Sequence, residues 1–547
     1  MAIYVNQLGY ITDTKKIAVS TKPCNFQVIR LSDQHSVLDG TTGPKFRDTA
    51  SGDDVYDIDF SDLTEEGEYY ILAGNSSKSH NFKISNDVYK NLMVDVSRCL
   101  YYQRCGIALD EGHAGIYTHE ACHTEPAIML DDFVKNNPEP KYFDMTGGWH
   151  DAGDFGRYST AGAVALGHIL YAFDLFPESF GYSMNIPESG NGIPDILNEC
   201  AYELRWLLKM QSKDGGVYHK LTAWRHAEFV MPEDDHDRFI IYPVSSLATA
   251  DFVAIMALAS RVYRPFMPEF ADTMLNAAIK SSLWLDTHSY VGFTNPEGSN
   301  TGEYGDEEDV DERLWAAAEM LRADKANSAK YLKILTALSK DVVSKSDFGW
   351  IDVSGFATIS ILSDPDHSSG MLESSYKNEL QKNATRFVEM SKNSGYHLAM
   401  ESEDFVWGSN MVVANRSILF AMAYLLIEGP SQEKFKNAAL SQLHYLLGRN
   451  ALDISYITGE GENAYSHPHN RVTASDNIEK PMPGWVAGGP FRTPSDAAAM
   501  SAIPKGTPPM KCYLDEVGSY STNEITIYWN SPVIFLLAFI NSKIAKN

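Results

Sequence analysis

The chain has 547 residues, 44% hydrophobic and 21% charged, with a formal net charge of −27. That balance excludes a disordered chain, and the length exceeds one ordinary domain but suits a large helical barrel. Strong acidity argues against nucleic acid, whose binding needs Lys and Arg on phosphates, and no run reads as a membrane span, so neither partner is expected.

The start, "MAIYVNQLGY", has no basic segment followed by an apolar run, so the expected location is cytoplasmic; a secreted chain trimmed of its leader would read the same. Six cysteines in so long a chain do not make a disulfide framework. Residues 1–85 carry short β-prone runs, "KIAVSTKP", "NFQVIRLS", "DVYDIDFS", "GEYYILAG" and "SHNFKIS", parted by turn-rich pieces. This spacing predicts a small antiparallel β-sandwich.

From residue 86 to 547 the period changes to that of helices. Examples are "VYKNLMVDVSRCLYYQ", "AGAVALGHILYAFDLF", "PDILNECAYELRWLLKMQ", "SSLATADFVAIMALASRVY" and "MVVANRSILFAMAYLLI". Apolar residues at steps of three and four mark them as amphipathic or buried. Ten or more such segments, joined by long Gly- and Pro-rich loops, predict an all-α barrel or toroid whose loops carry the chemistry.

In "GGWHDAGDFGRY", Asp151 and Asp154 are three residues apart with only Ala and Gly between them. Two carboxylates on so little bulk form either a solvated turn or a site gripping something between them. Near the other end, Glu524 in "STNEITIYWNSP" precedes an apolar helix. Glycosidic cleavage commonly uses one acid to protonate the departing oxygen and one carboxylate to activate water. Glu524 with Asp154 would supply that pair; alternatively Glu524 is a first-turn helix carboxylate. In "GENAYSHPHNR", His467, His469 and Arg471 would point donors at a hydroxylated ligand, or decorate a surface loop. Cys105, Cys122 and His123, with His113 and His119 nearby, suit either a tetrahedral zinc or buried thiols. "PESGNGIPD" offers Glu188, Ser189 and Asp195 to a calcium ion, although a capped helix start explains the same residues. Trp149, Trp224, Trp350, Trp407, Trp485 and Tyr520 lie near these loops, as sugar-stacking faces or core. The acidic run from Glu303 to Glu312 reads as solvated.

In order along the chain, "NQLGY", "QRCG", "GGWHDAGDFGRYST", "IPESGNGIPDILNECAYELRWLLKMQ", "WGSN", "LHYLLGRN", "SHPHNR", "PMPGWVAGGP" and "STNEITIYWNSP" together resemble glycoside hydrolase family nine, from about Val5 to Pro532. The resemblance implies an all-α (α/α)6 barrel behind an immunoglobulin-like sandwich, and an inverting mechanism. It implies Asp154 as general base, Asp151 as holder of the attacking water and Glu524 as general acid, with a carboxyl separation of roughly 6.5–9.5 Å. It places His469, Arg471, His219, Tyr520 and Trp407 on the sugar, and favours structural zinc on Cys105, Cys122, His123 and His119. His119 is chosen as one helical turn before His123. Where the family often has a second His before the Arg, Asn470 stands. The expected partner is a β-1,4-linked oligosaccharide, of cellulose or glucosamine type, cleaved from one end. A secreted endoglucanase and a non-catalytic sugar-binding protein are the alternatives, and the oligomeric state is left open.

Overall fold

A computed structural model describes every residue except 75, 343, 430, 431 and 547. The N-terminal part is two facing sheets. One runs Ile3–Tyr4, Ile17–Ser20, Asp54–Asp59, Phe46–Arg47; the other runs Gly9–Tyr10, Phe82–Ile84, Gly67–Ala73, Asn25–Arg30, Ser36–Thr41. Each predicted β-run supplies a strand because its alternate residues are apolar: in Gly67–Ala73, Tyr69, Ile71 and Ala73 face inward. Antiparallel register sets Val28 opposite Ile71. These side chains, with Val5, Ala18, Ile58 and Phe82, form a core separate from that of the helical domain.

Among the described residues, twelve helices of nine residues or more make up the remainder. They are α1 (Lys90–Tyr102), α2 (Ser159–Leu175), α3 (Asp195–Met210), α4 (Ser246–Val262), α5 (Pro268–Thr287), α6 (Val310–Ala323), α7 (Ser328–Leu338), α8 (Ser354–Leu362), α9 (Leu372–Lys392), α10 (Ser409–Leu426), α11 (Gln432–Leu446) and α12 (Ile527–Asn541). Burial sorts them into two rings. The even-numbered helices are buried on nearly every face, and where they are apolar or small all round, as in α4 and α12, a central position is their stable place. Helix α12 packs on α2 and α10, α2 on α4, α4 on α6 and α6 on α8, closing most of an inner ring. An odd-numbered helix such as α9 buries one stripe, Tyr376, Leu380, Ala384, Phe387 and Val388, and keeps its charges outside. The result is the (α/α)6 barrel. Helix α10 has the length and apolarity of a membrane span, contrary to the sequence reading that no run qualified, yet it is an inner-ring helix and mostly buried.

The "NQLGY" motif lies at the junction of the two parts. Gln7 donates from Nε2 to the Asp453 carbonyl and accepts from the Asn463 N–H, while Asn6 Nδ2 reaches Nδ1 of buried His444. His80, on the sandwich, bridges Asp453 at 3.3 Å and Glu462 at 2.9 Å on the barrel side.

Candidate active site

Three loops far apart in sequence are joined by backbone hydrogen bonds at one end of the barrel. The Asp151–Asp154 turn lies just before α2, its Ala152 pairing with Thr526 and its Asp151 carbonyl accepting from the N–H of Ile527 at the start of α12. His469 pairs in parallel with Glu524. The N–H of Arg471 and its Nη1 both donate to the Gly153 carbonyl, at 2.9 and 3.0 Å. The small residues of the turn now have a reason. A Cβ at Gly153 would stand 2.1 Å from the His469 carbonyl oxygen, so only glycine allows this approach.

Asp151, Asp154 and Glu524 thus converge, and their surroundings push their proton affinities apart. Burial, then the charges of Asp154 and Asp151, raise the Glu524 carboxyl well above the usual range, against the opposing pull of Arg471. Burial also raises Asp151, to about 8; Asp154 adds to this and the Tyr304 hydroxyl opposes it. Burial would raise Asp154 as well, but the His226 hydrogen bond and charge, Arg471 and the Gly156 N–H hold it below the ordinary carboxylate range. At neutral pH these surroundings keep Glu524 neutral and Asp154 ionised, the division of labour that acid–base cleavage needs. Asp151 takes the Tyr304 hydroxyl on Oδ2 at 2.5 Å, while its buried Oδ1 has no protein partner. Tyr304, at a positive φ of 48°, also lies 3.1 Å from the Tyr528 hydroxyl.

His469 donates from Nδ1 to the Val517 carbonyl at 2.6 Å, which leaves Nε2 as an acceptor. Its ring meets Phe229 and Tyr520 edge-on, and Tyr520 continues to Trp407 at 5.6 Å. Trp407, Tyr520 and Phe229 are 44%, 37% and 43% exposed, an aromatic row suited to sugar faces. Arg471 is buried, and its Nε donates to the Ala227 carbonyl, so it holds loops together beside the acids. Trp149 and Trp485 are core side chains, Trp149 donating from Nε1 to Glu199.

Several sequence expectations change. His219 is fully buried, with Nδ1 on Ser245 Oγ, Nε2 on the Glu303 carbonyl and its ring stacked on Phe293. Burial lowers its proton affinity to about 4, and with both nitrogens engaged it braces the Tyr304 loop rather than touching a sugar. The acidic run is only partly solvated: Asp309, Asp311 and Glu312 are buried, the last two facing buried Asp251. Tyr304 and His226 were not singled out in the sequence, because neither lies in a pattern of chemical groups.

The metal-ligand set also changes by one member. Cys105, Cys122, His123 and His150 bring their ligand atoms within 4.8 Å of one another. His119 is elsewhere: its segment is extended rather than helical, so the one-turn argument fails, and its Nδ1 donates to the Glu120 carbonyl. The set fits a tetrahedral zinc, two sulfurs and two imidazoles in a closed, buried place. His123 donates from Nε2 to Asp235 Oδ2 at 3.2 Å, which turns its Nδ1 lone pair into the cluster. His150 directly precedes Asp151, and Gln103 Nε2 donates to the carbonyls of His150 and Ala152, so the cluster supports the acid-bearing turn from below. The residues expected for calcium are otherwise engaged. Glu188 takes two bonds from Arg104, and Asp195 Oδ2 accepts from Ser183, Met184 and Ser189.

Comparison with known proteins follows the same division. Residues 1–78 match the cellulase N-terminal ig-like domain and residues 89–537 match glycosyl hydrolase family 9. A cellodextrinase of Butyrivibrio fibrisolvens is 42% identical over 563 aligned positions, covering 98% of this chain and 99% of that protein. The structure of AaCel9A in complex with a cellobiose-like isofagomine superposes with a TM-score of 0.91 at 33% identity, over 98% of this chain and 99% of that one. A Zn-binding triple mutant of the family 9 endoglucanase J30 gives 0.90 at 30% identity, over 97% and 99%.

Proposed function

The chain belongs to glycosyl hydrolase family 9, whose members cleave β-1,4-glucans, and from that premise we propose that it hydrolyses short β-1,4-gluco-oligosaccharides from one end with inversion. In this reading Glu524 gives its proton to the glycosidic oxygen as the bond to the anomeric carbon breaks. Asp154 takes a proton from the water that attacks the opposite face. The free Oδ1 of Asp151 is the water's second anchor, and Asp154 and Glu524 then exchange protons with solvent to reset. The observation that carries the reading is the convergence of three loops on Asp154, whose partners favour its charged form, and Glu524, whose burial favours its neutral form. A non-catalytic sugar binder would not need that split.

Preference for short chains is supported by the likeness to a cellodextrinase over nearly the full length of both proteins. A neutral glucan is favoured over glucosamine by the same likeness to a cellodextrinase. Zinc on Cys105, Cys122, His123 and His150 belongs to the proposal as a structural brace that polarises no substrate. A cytoplasmic location is supported by the six unpaired cysteines. The test is a product time course on cellotetraose and on a chitosan tetramer. Single glucose units released from cellotetraose support the reading; mid-chain cuts return the secreted-type endoglucanase alternative, and faster turnover of chitosan reverses the sugar preference.

A further inference from the structure

Strand Arg157–Tyr158, which follows the Asp154 turn, pairs with Lys220–Thr222, and the chain beyond Thr222 passes back over the acids. That loop is anchored at several points. The His226 N–H donates to Asn300 Oδ1 at 3.2 Å, the Ala227 carbonyl accepts from Arg471, and Phe229 packs on His469. Between the anchors, His226 places Nδ1 3.2 Å from Asp154 Oδ2, the oxygen that also accepts the Gly156 N–H at 3.1 Å. Asp154 is only 7% exposed, whereas the His226 side chain is 37% exposed and reaches the cleft.

Two donors on one oxygen fix the plane of a carboxylate and leave the other oxygen for a ligand. We propose that His226 is a positioning residue for hydrolysis: its Nδ1–H holds Asp154 Oδ2 and turns Oδ1 to the water. This rests on Asp154 being the base. A hydrogen bond to a carboxylate favours its charged form, so loss of this donor is felt where the base is closest to protonation. Other charges face Asp154 too: Arg471 and His469 from the 466–475 loop, Lys220 from its strand, Asp151 from the same turn and Glu524 from the loop before α12. Burial lowers the His469 ring and brings Lys220 down to about 7, and His469 is tied to Val517 rather than to Asp154.

The experiment is the pH profile of kcat/KM on cellotetraose for wild type, His226→Phe, His226→Gln and Asp154→Asn. The acid limb of that profile reports the base in the free enzyme. His226→Phe is expected to move the acid limb up by about one pH unit, a roughly tenfold loss on the limb that is recovered at higher pH. His226→Gln, which can donate but not become a cation, falls between the two. A limb that stays in place, or a uniform loss at every pH in both His226 variants, overturns the role. Asp154→Asn separates the assumptions: if it stays active, the base assignment fails, whereas an inactive Asp154→Asn with an unmoved limb in the His226 variants refutes His226 alone.

Discussion

Gly153→Ala probes the convergence of the three loops with a single methyl group. The added Cβ would lie 2.1 Å from the carbonyl oxygen of His469 and 3.0 Å from its carbonyl carbon, and both neighbours are backbone. Neither can rotate away, so the two loops must part by about 1 Å to restore ordinary contact. Parting them breaks the two bonds from Arg471 to the Gly153 carbonyl and shifts Asp154 relative to Glu524. A 1 Å misplacement of reacting groups lowers turnover about 100-fold, and overpacking of this kind destabilises by about 1–3 kcal/mol. The assay is steady-state turnover of cellotetraose with urea unfolding of the same preparation. The expected result is a large fall in kcat with a smaller change in KM and a modest loss of stability. A variant with kcat within about threefold of wild type would refute the reasoning, because the loops would then tolerate separation.

Glu524→Gln keeps the shape but removes the proton; it should lower turnover by about 10²–10⁴-fold while cellotetraose still binds by calorimetry. Metal analysis of purified protein should give about one zinc per chain, falling below half in Cys122→Ser together with a lower melting temperature. For His80, the hydrogen bond to Asp453 outweighs burial and, with Glu462, raises the imidazole to about 9. Its folded value lies above its unfolded one, so the contribution is complete below about pH 6.5 and is lost as the pH rises through about 9. His80→Gln should therefore cost about 1–2 kcal/mol at pH 7, after allowance for solvent screening, and flatten the decline in melting temperature between pH 7 and 10.

The large elements were readable because their signals are local. Alternating residues such as Tyr69, Ile71 and Ala73 mark a strand wherever it ends up, and the all-round apolar α12 can only be central. Asp151, Asp154 and Glu524 stood out in unusual company, small residues on one side and an apolar helix on the other. What failed needed the third dimension. His219 sits in a motif but is walled in by Ser245, Glu303 and Phe293, which no pattern in its own segment announces. His150 stands beside the acids in "GGWHDAGDFGRY", and its place in the cysteine cluster depends on the backbone bringing residue 105 beside residue 148. The carboxylates at 309–312 looked like surface because charge runs usually are, yet the start of α6 carries them inward against Asp251. Tyr304 and His226 act through single contacts made by loops, and a lone Tyr or His in a loop carries no spacing to read.

The stereochemistry of the first product bears most directly on a base and an acid acting from opposite faces of the sugar. Proton NMR during the first minutes of cellotetraose hydrolysis, before the anomers equilibrate, should show the α-anomeric signal of the newly formed reducing end rising first. An initial β-anomer would mean that a carboxylate attacks carbon in place of water, and the roles given to Asp151, Asp154 and Glu524 would be wrong.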